Sequence, residues 1–193
     1  MRPSASDILE AVDPRLRDAL RSELETLLRS GAAPGLREDA RWVLAGHRAA
    51  GKSTLLRKLA PLCARPAVDL DAALEAQTGR TLRDWFREDA AGFRAAEREA
   101  FRALPARTLV AVGGGFLSLH GDLLADAEVI LVPLTFETFR ERLLKDATRP
   151  RLRPELELEE ELRVVFDERE SAHRSVRTRS LVEALGTLLR GVA

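Results

Sequence analysis

Nine consecutive residues, Gly46-His47-Arg48-Ala49-Ala50-Gly51-Lys52-Ser53-Thr54, hold the densest chemistry in this sequence. The spacing Gly-x-x-x-x-Gly-Lys-Ser suits a loop that wraps an anion: glycine lets the backbone turn tightly, lysine brings a cation and serine a hydroxyl. Its four constrained positions would coincide by chance in about one of 1,000 chains of this composition. The apolar run Trp42-Val43-Leu44-Ala45 before the loop reads as a buried strand, and Gly51 to about Ala60 as a helix. Strand, loop and helix in that order aim unpaired N–H groups and a helix dipole at bound phosphates. Gly46, Ala49, Ala50, Gly51, Lys52, Ser53 and Thr54 are thus the candidate nucleotide-binding residues, with Lys52 at the outer phosphates and the Ser53 hydroxyl as a ligand for Mg²⁺.

Further along, Val68-Asp69-Leu70-Asp71 sets two carboxylates two residues apart at a predicted strand end, where side-chain alternation turns both the same way. That pair suits a metal and a hydroxyl. Arg94 and Glu97 fall three apart on one face of a predicted helix. Gly113-Gly114-Gly115 ends an apolar strand, where open α/β sheets receive ligands and where missing side chains permit close approach. Arg149-Pro150-Arg151-Leu152 and Arg169 complete the set.

The elements that must position these residues alternate. Strands are expected at Trp42–Ala45, Val68–Leu70, Leu109–Val112 and Val129–Leu134, and helices at Ala72–Gln77, Leu82–Leu104, Phe136–Lys145, an acidic stretch after the Arg- and Pro-rich loop, and Leu181–Leu189. Short apolar strands between helices imply a three-layer α/β fold with a parallel sheet covered on both faces. Before them, Ser6 to Ser30 shows helical apolar spacing with a break at Asp13-Pro14, and Gly31 to Gly35 reads as a linker. We therefore expect a helical arm and linker at 1–40 and one α/β domain at 41–193.

With 193 residues there is room for one such domain. Thirty-one basic residues balance 31 acidic ones, so no overall field draws the chain to nucleic acid or an anionic membrane, and anion binding must be local. The single cysteine, Cys63, forms no internal disulfide, which suits a reducing compartment. The first residues lack an apolar signal core and no stretch approaches the roughly 18 apolar residues of a membrane span, so the expectation is a soluble, cytoplasmic protein.

From Trp42 to His173 the sequence resembles the shikimate kinases, a P-loop family with the nucleoside-monophosphate-kinase-like fold. Five ordered segments carry the resemblance: the phosphate loop; Asp69-Leu70-Asp71; Thr78-Gly79-Arg80-Thr81-Leu82 leading to Gly92-Phe93-Arg94-Ala95-Ala96-Glu97; the triple glycine; and Arg149-Pro150-Arg151-Leu152 with Arg169 beyond it. The resemblance implies ATP and Mg²⁺, with Asp69 assisting the metal beside Ser53. Asp71 contacts the acceptor hydroxyl. Arg94, held by Glu97, binds the acceptor carboxylate with Arg169, the glycines 113–115 lie beneath its ring, and Arg149 rides on a lid that closes over ATP. Asp71, Lys52 and Arg149 are then the catalytic residues: Asp71 orients or deprotonates the hydroxyl while the two cations and Mg²⁺ neutralise the phosphoryl group in transit. The implied activity is phosphorylation of shikimate in aromatic amino-acid biosynthesis. In this sequence Ala49 stands where the family has glycine, and Ser171 and His173 where it has proline and tyrosine.

Two alternatives accompany that reading. Shikimate-kinase-like domains also act as sensors that bind an aromatic acyl-CoA, and Gly46-His47-Arg48 with Arg169-Glu170 is similar to them. A kinase for another hydroxy acid, such as gluconate, would use the same phosphate loop. The expected partner is a small anionic substrate, with neither nucleic acid nor membrane, for a monomer or a weak homodimer formed through the arm.

Overall fold

The strands of this chain all run the same way, because each is followed by a helix that carries the backbone back across the sheet. The computed structural model describes residues 3–31, 35–146 and 151–190. Two helices come first, α1 (Ala5–Leu9) and α2 (Arg17–Ser30), then β1 (Trp42–Ala45), α3 (Lys52–Leu59), β2 (Ala67–Asp69), α4 (Leu70–Thr78), α5 (Leu82–Glu88) and α6 (Ala90–Ala103). There follow β3 (Leu109–Ala111), α7 (Phe116–His120), β4 (Glu128–Leu131), α8 (Phe136–Lys145), α9 (Leu158–Ser175), β5 (Thr178–Ser180) and α10 (Leu181–Arg190). The sheet order is β2-β3-β1-β4-β5, with Val43 in register with Val110 on one side and Val129 on the other.

Side-chain alternation divides the core between the two faces of the sheet. Trp42, Leu44, Leu109 and Ile130 pack with Leu55 and Leu59 of α3 and Leu181 and Leu185 of α10. Val43, Ala45, Val110 and Val129 pack with Phe101 of α6 and Phe116 of α7. A smaller cluster of Leu74, Trp85 and Phe93 joins α4, α5 and α6.

The amphipathic N-terminal residues do form two helices, separated by a turn around Asp13-Pro14, and they join the first of these cores. Ile8, Leu9, Val12 and Leu24 are buried in it, with α1 against α3 and α2 against α10. Asp13 is fully buried and accepts hydrogen bonds from the Thr135 N–H at 2.7 Å, the Thr135 hydroxyl at 2.6 Å and the Thr138 hydroxyl at 2.7 Å. Burial by itself pushes this carboxyl up, and these donors with the Arg15 N–H more than offset it, holding Asp13 below its ordinary value.

Two local expectations change. β2 stops at Asp69, whose carboxylate caps α4 by accepting from the Ala72 N–H at 3.3 Å, so Asp71 occupies the first turn of a helix and not a strand end. β5 was absent from the expected elements; its polar Thr178-Arg179-Ser180 pairs with β4 at the sheet edge and runs directly into α10. Among the described residues no helix is long and apolar enough to cross a membrane.

Candidate active site

Parallel strands bring every β-to-α connection to one edge of the sheet, and the candidate residues gather there. Gly46 follows β1 with φ 138°, and a Cβ at this position would stand 2.7 Å from the Val132 carbonyl oxygen. Gly51 opens α3 with φ 92°, and its Cβ would meet the Ala11 carbonyl oxygen at 2.1 Å. Only glycine fits either place. Ala49, between them, is held at φ 61° in the left-handed region, which costs an ordinary side chain about 1–2 kcal/mol.

Lys52 is buried and turns back over the loop, donating from Nζ to the Gly46 carbonyl at 3.0 Å and the His47 carbonyl at 2.7 Å. A cavity of about 230 Å³ lies against the loop, lined by Ala49–Thr54 together with Asp69, Asp71 and Gly113. Beside it is a second cavity of about 390 Å³ lined by Phe86, Phe93, Arg94, Glu97, Gly115 and Arg169 among others. Arg48, Ser53, Asp69, Asp71, Gly113 and Gly114 line both, so the two spaces adjoin. Ser53 and Asp69 are hard oxygen donors on that common wall, a set that fits Mg²⁺.

Charge in the larger cavity is arranged by burial. Arg169 is 8% exposed and its Nη1 has no hydrogen-bond partner among the described residues. Burial first, then repulsion from Arg48 and Arg94, lowers its pKa to about 9. The negative charge of an anion entering here would offset both effects. Arg94 donates from Nη1 to Glu97 Oε2 at 2.8 Å and lies over the Phe93 ring at 4.9 Å. The glycines let the two arginines converge: a Cβ on Gly114 would stand 3.0 Å from Arg169 Nη1 and 2.5 Å from the Arg48 nitrogen, while one on Gly115 would lie 3.7 Å from both Arg94 Nη2 and Arg169 Nη2. Asp71 has its pKa raised to about 6, chiefly by burial and then by the Glu97 charge, against the pull of Lys52. A carboxyl of that kind holds or releases a proton near neutrality.

The structure thus brings together Gly46, Ala49–Thr54, Asp69, Asp71, Arg94, Gly113–Gly115 and Arg169. Arg149 lies outside the described residues. Three features were missed. Arg142 of α8 donates from Nη1 to the Ala49 carbonyl at 2.6 Å, yet in an arginine-rich helix nothing in the sequence distinguishes it. His120 donates from Nε2 to Glu97 Oε2 at 3.1 Å, from a part of the chain with no motif. His47 stacks on Phe166 with ring centroids 4.0 Å apart and donates to Glu170 Oε1 at 2.7 Å, with His173 beside it. Zinc ligands at about 2.0–2.1 Å in a tetrahedron stand some 3.3 Å apart. The closer 2.7 Å approach of His47 to Glu170 is therefore a hydrogen bond, and it ties the phosphate loop to α9.

Against known proteins, the family model described as shikimate kinase matches residues 48–186. The shikimate kinase of Halorhodospira halophila is 36% identical over 165 residues, covering 81% of this chain and 91% of that one. The shikimate kinase of Salinibacter ruber is 33% identical over 169 residues, covering 77% and 82%. Among solved structures, shikimate kinase from Acinetobacter baumannii in complex with shikimate aligns with a TM-score of 0.65 at 25% identity, covering 79% of this chain and 92% of that one. With the loop, the paired arginines and the triple glycine set around two adjoining cavities, these matches have one outcome: the chain belongs to the shikimate kinase family.

Proposed function

We propose that this protein transfers the terminal phosphoryl group of ATP to a hydroxyl of shikimate. The observation that carries the reading is the place of Asp71 on the wall common to the two cavities, one built for phosphates and the other for a small anion. The acceptor's carboxylate pairs with Arg94 and Arg169, its ring lies over Gly113–Gly115, and its hydroxyl faces Asp71. Asp71, with its raised pKa, takes the hydroxyl proton as the oxygen bonds to the γ-phosphorus and the bond to the bridging oxygen breaks, releasing ADP.

Lys52 exchanges its two carbonyl partners for phosphate oxygens and neutralises charge during transfer. Mg²⁺, when bound, supplies further neutralisation of the phosphates, and Ser53 and Asp69 are the residues that would hold it. Arg149 is proposed, on the sequence alone, as a further cation at the transferring group. The working state we infer is a monomer, because the arm's Ile8, Leu9, Val12 and Leu24 are used inside the chain's own core.

The test is a coupled assay of ADP release with ATP and Mg²⁺, with shikimate or gluconate added in turn. Strong stimulation by shikimate alone is expected. Nucleotide binding with no shikimate-dependent turnover would overturn the reading and point to effector sensing instead.

A further inference from the structure

Glu97 carries more than Arg94. It is fully buried, and Oε2 accepts from two directions, from Arg94 Nη1 at 2.8 Å and from His120 Nε2 at 3.1 Å. Oε1 has no partner among the described residues and faces Gly113, where a Cβ would stand 2.9 Å away. This carboxylate is therefore pinned through one oxygen only.

His120 is 5% exposed and ends α7, the helix that begins at Gly115 against both acceptor arginines. Phe116, one turn earlier, meets its ring edge-on with centroids 4.9 Å apart, which fixes the imidazole plane. With a carboxylate as partner, the proton must sit on Nε2.

We propose that His120 is a positioning residue for the acceptor site, holding Glu97 and, through it, the Arg94 guanidinium in the orientation that receives the acceptor's carboxylate. Without the second donor, Glu97 keeps a single partner and can swing its oxygens toward Asp71. Arg94 then loses the fixed anchor that preorganises it.

The inference rests on the acceptor reading above, and the test separates the two. Wild type, His120→Leu and His120→Gln are compared by KM for shikimate, KM for ATP, kcat, and solvent exchange of the Arg94 side-chain N–H protons by NMR. Leucine keeps apolar volume without a donor, and glutamine restores an N–H. His120→Leu should raise the shikimate KM about tenfold, the loss of roughly one hydrogen bond to a charged group, with the ATP KM unchanged. It should speed Arg94 exchange, while His120→Gln recovers most of the wild-type shikimate KM. An unchanged shikimate KM, equal losses in ATP and shikimate KM, failure of glutamine to rescue, or unchanged Arg94 exchange would overturn the proposal. If wild type shows no shikimate-dependent turnover, the acceptor reading fails, and Arg94 exchange still decides whether His120 positions that side chain.

Discussion

Asp13 and Thr135 are 122 positions apart in sequence, and the Asp13 carboxylate takes both the N–H and the hydroxyl of Thr135 at 2.7 and 2.6 Å. Thr135 is also the N-cap of α8, its hydroxyl oxygen accepting from the Thr138 N–H, so the buried aspartate supports a cap from behind. The N-terminal arm thereby fixes the start of the helix that sends Arg142 to the phosphate loop.

Asp13→Ala should destabilise the protein by about 2–3 kcal/mol, through an undermined helix cap and three threonine donors that lose their acceptor. Urea unfolding followed by circular dichroism measures it, and a loss below about 0.5 kcal/mol, the range of ordinary surface changes, would show that the arm is dispensable to α8.

Because the pKa of Asp71 is raised to about 6 and its proposed role requires the ionised form, kcat/KM should fall about tenfold per pH unit below that value and be level above it. Asp71→Asn should lower turnover by about 10²- to 10⁴-fold while ATP binding persists. An acidic limb near the ordinary aspartate value, or full turnover in the asparagine variant, would remove Asp71 from proton transfer.

Arg94→Ala removes one of the two charges proposed to hold the acceptor and leaves Glu97 buried with His120 alone. The shikimate KM should rise about 100-fold, the scale of truncating one partner of a buried charge pair, and the ATP KM should not change. Equal effects on the two would place Arg94 outside the acceptor site.

Ala49→Gly relieves a left-handed alanine. The expected outcome is a gain of about 0.5–1 kcal/mol, read as a higher Tm, with the phosphate loop otherwise intact. A lower Tm would mean that the strain is absent or repaid elsewhere.

His47 is lowered to about 4, chiefly by burial, against an ordinary value of 6.5. The unfolded chain then binds a proton that the folded one refuses, so this contribution is complete above pH 6.5 and is lost as the pH falls toward 4. The loss should amount to about 3 kcal/mol, and His47→Gln should flatten the stability profile across that window. A profile that stays steep in the variant would locate the titration elsewhere.

The phosphate loop was legible because its chemistry is contiguous: strand, glycines, lysine and hydroxyl follow one another in the chain. Arg94 and Glu97 were legible for a similar reason, three apart on one helix face. Asp69 and Asp71 do line the common cavity wall, but Asp71 does so from a helix and not from the expected strand end, since an aspartate that can cap a helix ends a strand, and alternation alone does not weigh the two outcomes. β5 escaped notice because an edge strand of threonine, arginine and serine has no apolar signature. His120, Arg142 and the His47–Glu170 contact depend on segments 23, 93 and 123 positions apart meeting in space, and no local pattern reports such meetings.

Helices far apart in the sequence also interlock: α2 lies along α10, and Arg190 donates to the Leu27 carbonyl. On the ribosome α2 is made well before its partner surface, so Leu24 and its neighbours wait through the synthesis of all five described strands before α10 emerges to cover them. Through that interval the nascent chain offers an uncovered apolar face to chaperones.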